Sequence, residues 1–152
     1  MNWIKSFFAK RAPGFYVACG AALLLVATLI SYGVFGGAYE NYFSAAVIAV
    51  AVVGIVAFVA MSVFSKTEKY APVALWVFIF VSLLLFINAA YMYFSEVFYS
   101  GVSAETFGLI DPSFLASVIL FVLAVVAANV ACWMKQAKPS VQDEQTKEGE
   151  EA

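Results

Sequence analysis

From Tyr70 to Ser95 the chain reads YAPVALWVFIFVSLLLFINAAYMYFS, 26 residues without one Asp, Glu, Lys or Arg. A helix of about 20 apolar residues crosses the roughly 30 Å hydrocarbon core of a bilayer. Lipid offers the backbone no hydrogen bonds, so a segment of this kind must bond within itself as an α-helix. Three further uncharged stretches have the same character. They are Ala12 to Tyr39, Asn41 to Ser65 and Pro112 to Met134, of 28, 25 and 23 residues. The pattern predicts an all-α polytopic membrane protein, an antiparallel four-transmembrane-helix bundle with spans at about 14–36, 42–64, 70–94 and 112–134.

The composition agrees. Of 152 residues, 64% are hydrophobic and 12% charged, more apolar side chain than a soluble domain of this size can hide. Orientation follows from the basic residues, which are retained on the cytoplasmic side of short loops. Lys5, Lys10 and Arg11 precede span one, Lys66 and Lys69 separate spans two and three, and Lys135, Lys138 and Lys147 follow span four. The other two loops carry Glu40, Glu96, Glu105 and Asp111 and no basic residue. All eight cations therefore fall on one side, and both termini are expected in the cytoplasm. Tyr and Phe cluster at both boundaries, Tyr32 to Phe43 and Tyr91 to Tyr99 outside and Trp3, Tyr16, Tyr70 and Trp133 inside, at the depth amphipathic rings prefer. Span one is longer than a signal-peptide core, so it is expected to be retained.

Three regions follow. Residues 1–11 place Trp3, Ile4, Phe7 and Phe8 on one helical arc and are expected to lie in the inner interface. Residues 12–136 form the membrane domain. Residues 137–152, acidic and without an aromatic residue, are expected to be a disordered tail. Within the domain, Gly33, Gly36 and Gly37 are expected to end span one and shape a short turn, making spans one and two a tight hairpin. Thr67 is read as the cap of span three, with Pro72 tolerated in its first turn. Asp111 followed by Pro112 is read as a cap and first helical residue for span four. The apolar loop from Glu96 to Asp111 is expected to rest on the membrane surface or over the helix ends.

Few residues inside the spans suggest a site. Small residues recur every fourth position, Gly14, Ala18 and Ala22 in span one and Ala124, Ala128 and Cys132 in span four. Such faces let helices approach closely. Asn88 and Asn129 are the strongest intramembrane polar residues. At about 1.5 Å per residue, Asn88 lies roughly 27 Å from the inner end of its stretch and Asn129 about 8 Å, too far apart in depth to bond each other. Each is expected to bond a neighbouring helix. Cys19 and Cys132 sit near the reducing face and are expected to be free packing thiols.

The chain has no histidine, which removes the commonest general base and most haem and zinc chemistry. No Asp, Glu, Lys or Arg lies deep in a span, where pumps and proton-coupled transporters usually hold one. No catalytic, cofactor-binding or metal-binding residue is therefore assigned, no cofactor is expected, and nothing resembles a nucleic-acid footprint. The expected partners are the lipid bilayer and other membrane proteins or further copies of this chain. The expected role is non-catalytic, that of an accessory or structural component acting through helix or loop contacts. The alternative is a subunit of an oligomeric channel or small-solute transporter, which would need polar residues aligned along one helical face.

Three segments carry a resemblance: Pro13-Gly14-Phe15-Tyr16, Lys66-Thr67-Glu68-Lys69-Tyr70-Ala71 and Ala127-Ala128-Asn129-Val130-Ala131-Cys132-Trp133. Over most of residues 13–135 the chain resembles a set of uncharacterised small four-span membrane proteins of Firmicutes. The resemblance implies a bacterial cell membrane and a shared packing role for Asn129. It implies no activity.

Overall fold

The computed structural model describes residues 11–64, 67–99 and 101–136. Four helices are long and apolar enough to cross a membrane: α1 Pro13–Ala38, α2 Ala45–Val63, α3 Ala71–Val97 and α5 Pro112–Trp133. A 3-10 turn, Glu40–Tyr42, follows α1, and the one-turn helix α4 Ala104–Phe107 lies between α3 and α5. The described residues thus form an all-helical bundle, with no strand longer than a single β-bridge residue at Arg11. The expected interfacial segment (save Arg11) and the acidic tail lie outside the described residues. At 1.5 Å per residue the four helices are about 39, 29, 41 and 33 Å long, enough to cross the hydrocarbon core.

Three local expectations need correction. Span one does not end in its glycines, since Gly33, Gly36 and Gly37 all stay helical. Without competing water the backbone continues its own hydrogen bonds, and the chain turns only at Tyr39. Gly36 serves packing instead. A Cβ there would sit 2.2 Å from the Phe43 ring, and that ring stacks on Tyr32 at 5.2 Å. Thr67 does not cap span three. Its hydroxyl donates to the carbonyls of Met61 (3.0 Å) and Phe64 (3.2 Å), closing the end of α2. Spans one and two are not a tightly packed hairpin either. The most extensive pairing joins α1 to α5, then α2 to α3 and α3 to α5. Helices α1 and α2 meet sparsely, with a ring contact Phe15–Phe58 near one end, while Tyr32 at the other end stacks on Phe43 in the connection before α2.

The seams repeat every three and four residues alternately. Helix α1 buries Gly14, Ala18, Ala21, Leu25, Thr28, Tyr32 and Phe35, and α5 buries Phe114, Ser117, Phe121, Ala124, Ala128 and Ala131. This is the spacing of left-handed knobs-into-holes packing. It grades along the bundle. Near Arg11 the seam residues are Gly and Ala, so α1 and α5 come together closely. At the far end Tyr32, Phe35, Phe86, Tyr93 and Phe114 form a buried ring cluster, with Tyr93–Phe114 centroids 4.9 Å apart and Phe35–Phe114 5.2 Å apart.

Among the described residues the buried serine and threonine hydroxyls all donate to backbone carbonyls, and the buried Tyr32 and Tyr93 hydroxyl oxygens accept the N–H groups of Ser44 and Asp111, as a medium without water requires. Thr28 bonds Leu24, Ser62 bonds Phe58 and Ser117 bonds Ser113 within their own helices. Ser82 crosses from α3 to the carbonyl of Val47 on α2 at 2.8 Å. Ser31 crosses from α1 to the carbonyl of Ser113 on α5 at 3.0 Å.

Asp111 caps α5 as its sequence context predicts. Its carboxylate accepts from the Ser113 N–H at 2.8 Å, the Phe114 N–H at 3.4 Å and the Ser113 hydroxyl. The Ser113 hydroxyl, with the two backbone N–H groups, holds its pKa below the usual aspartate range against the opposing effect of burial.

Candidate functional site

The small residues of spans one and four separate into seam and edge. Gly14, Ala18, Ala124 and Ala128 are buried between helices. Ala22 is only half-buried, because the alternating spacing puts Ala21 on the seam instead. Cys132 gives way to Ala131 for the same reason. Cys19 and Cys132 are both free and half-buried.

Asn88 and Asn129 do not bond neighbouring helices of the same chain. Both lie exposed on the outer surface of the bundle, and neither side chain has a hydrogen-bond partner among the described residues. Asn88 lies about 26 Å along the axis from Ala71 and about 14 Å from Val97, well inside the span. Its neighbours on that face are Leu84, Ile87, Tyr91 and Met92, which are 50%, 53%, 70% and 63% exposed. An amide bearing two donors and an acceptor is thus presented on the outer surface of the bundle.

At the end near Arg11 the structure holds a clasp that the linear sequence does not announce. The Arg11 guanidinium pairs with the Glu68 carboxylate, donates to the Ser62 carbonyl at the end of α2, and lies 4.8 Å over the Phe15 ring. Its side chain is 6% exposed and that of Glu68 16%. Ala12 and Gly14 donate backbone N–H groups to the carbonyls of Gln136 and Lys135, each at 3.2 Å. The Gln136 amide in turn donates to the Ala131 carbonyl in the last turn of α5 at 2.7 Å and to that of Met134, just past its end, at 2.9 Å. A Cβ on Gly14 would sit 2.6 Å from the Lys135 carbonyl oxygen. Three chain segments are therefore tied together at one end. The sequence signal for the clasp is an Arg and a Glu at span ends predicted to share one side. Charge counting treats Arg11 only as a marker of topology, and so passes over the pairing.

At the opposite end the 3-10 turn, the last turns of α3 and the loop before α5 line an open cavity of about 530 Å³. Its walls include Tyr39, Tyr42, Tyr93 and Tyr99, with Glu96 and Asn41. Tyr93 is fixed because its hydroxyl oxygen accepts the Asp111 N–H at 2.9 Å. Tyr39 and Tyr42 both meet Tyr93 edge-on, with centroids at 5.5 and 5.6 Å. The loop rests on the helix end, where Phe107 meets Phe98 edge-on at 5.3 Å. Among the described residues no group of three His, Cys, Asp or Glu is placed to hold a metal ion. No known protein family, curated protein or solved structure matches the chain.

Proposed function

We propose that this is a non-catalytic multi-pass protein of a bacterial cell membrane that acts through contacts of its membrane-embedded surface, as an accessory or structural component. Its helices run antiparallel, with both termini in the cytoplasm. The eight-to-none division of basic residues supports that orientation. So does the clasp, which gathers Arg11, Ser62, Glu68 and residues 134–136 at one end.

The carrying observation is Asn88. The buried hydroxyls of the bundle are satisfied internally, yet this amide faces outward in the middle of an apolar face. A helix of a second copy or of another membrane protein would satisfy it, worth on the order of 1 kcal/mol. The face is not a solute path. Asn88, Tyr91 and Ser95 are exposed in one half of α3, but the same face continues toward Ala71 with exposed Leu84, Val81 and Val77. A conduit would need polar groups along its whole length.

The test is photo-cross-linking from Tyr91, one turn from Asn88, in intact membranes. The expected result is a discrete adduct that Asn88→Gln keeps and Asn88→Leu weakens about fivefold. An absent adduct, or one indifferent to Asn88→Leu, refutes the reading. Flux across liposomes containing the purified protein, abolished by Asn88→Leu, would replace it with the channel or transporter reading. Reporter fusions in the Lys66 loop and the carboxy-terminal tail test the orientation.

A further inference from the structure

The cavity at the aromatic end belongs to no part of the contact surface proposed above, and its chemistry is one-sided. Tyr93 is 3% exposed while Tyr91, two residues away, is 70% exposed. Tyr91 behaves as an interfacial belt residue; Tyr93, Tyr39 and Tyr42 turn toward one another instead. Because Tyr39 and Tyr42 meet Tyr93 at interplanar angles of 67° and 65°, their ring planes form a corner rather than a flat stack. Each ring face carries the negative lobe of its quadrupole. Glu96 adds a full negative charge to the wall, and Asn41 adds an amide. The other acids at this end, Glu40, Glu105 and Asp111, are not balanced by any basic residue there among the described residues. Arg11, Lys69 and Lys135 sit at the clasp end.

The geometry points to a binding site for a small organic cation, an ammonium or quaternary ammonium group seated against the tyrosine faces and neutralised by Glu96. Tyrosine faces attract such cations, most strongly where water is displaced. A volume of about 530 Å³ lies within the usual range of small-ligand sites, roughly 300–1,000 Å³. The same group is offered by two sources, a free amine and the headgroup of a choline or ethanolamine lipid at the membrane surface.

The experiment uses the full chain in nanodiscs made only of phosphatidylglycerol, titrated with choline and with tetramethylammonium by calorimetry against empty discs. Saturable binding is expected, weakened about tenfold in Glu96→Gln and in Tyr42→Leu. It is unchanged in Asn129→Leu, at the far end of the bundle. Glu96 is exposed, so Glu96→Gln tests the charge without disturbing packing. A second arm places phosphatidylcholine or phosphatidylethanolamine in the discs. Loss of choline binding there, with lipid retained in native mass spectrometry, identifies a headgroup as the occupant; undiminished binding identifies a free cation. The proposal is overturned if the protein binds neither soluble cation saturably and retains neither lipid. It is equally overturned if Glu96→Gln and Tyr42→Leu bind as the wild type does. Neither result bears on Asn88, whose cross-linking is read separately.

Discussion

Gly54 offers a sharp test of how α2 meets α3. A methyl group placed there would lie 2.4 Å from the Cβ of Phe78 and 3.1 Å from its Cγ. Carbon atoms in contact sit about 3.5–4.0 Å apart, so relief requires on the order of 1 Å of movement between the helices. A rotamer change cannot supply it, because the backbone fixes the position of a Cβ. Overpacking of this kind costs about 1–3 kcal/mol, and the better helix propensity of Ala over Gly returns at most about 1 kcal/mol. Gly54→Ala is therefore expected to destabilise the bundle by about 0–2 kcal/mol net, and by about 1–3 kcal/mol relative to a glycine-to-alanine change with the same propensity gain and no clash. Gly20 provides the control, since nothing lies within 4 Å of the place its added methyl group would take, and Gly20→Ala is expected to be neutral or slightly stabilising. Unfolding in mixed detergent micelles, followed by circular dichroism, measures both. The contact makes a further demand: Phe78→Ala keeps the offending Cβ and cannot rescue Gly54→Ala, whereas Phe78→Gly couples favourably with it. Equal stabilities for the Gly54 and Gly20 variants, within about 0.5 kcal/mol, or rescue by Phe78→Ala, would refute the argument.

Two further outcomes can be read in the same assay. Arg11→Ala leaves the largely buried Glu68 carboxylate without its cation and is expected to cost about 1.5–3 kcal/mol; Glu68→Ala should do similarly, and the double variant should cost less than the sum. Asp111→Ala is expected to cost about 1 kcal/mol through the lost cap of α5, while Asp111→Asn at neutral pH costs little. Because the folded protein lowers the pKa of Asp111, its contribution is fully present above about pH 4. It disappears as pH falls through the lower folded value, so an acid scan of the wild type should lose a component that Asp111→Ala lacks.

The residues legible in the sequence are those whose roles are set locally. Asp111 and Pro112 announce a helix start, and the ends of the uncharged runs lie close to the ends of the helices, furthest at Asn41 against Ala45, because both signals lie within a few neighbouring positions. Local reading fails where two signals compete. The glycines at 33, 36 and 37 suggest a turn by propensity, but a helix shielded from water keeps its ladder. Thr67 has the look of a forward cap, but its hydroxyl reaches the last carbonyls of α2. The cavity is half visible: its tyrosines stand where a membrane belt is expected, and nothing in their spacing distinguishes a ring turned inward from one facing lipid.

The amino-acid order alone determined how many rods this protein has, how long they are and which of their ends carry charge. Those properties follow from hydrocarbon thickness and from the cost of charge within it. Only the tertiary structure decided that α1 packs on α5 rather than on α2, that Ala21 rather than Ala22 meets its neighbour, that Arg11 closes on Glu68 and that Asn88 faces outward. The physical reason is that each rod is apolar all the way round. A soluble helix shows its buried face by an apolar stripe, but lipid is as apolar as the bundle core, so the inward face is chosen by fit between side chains on different helices.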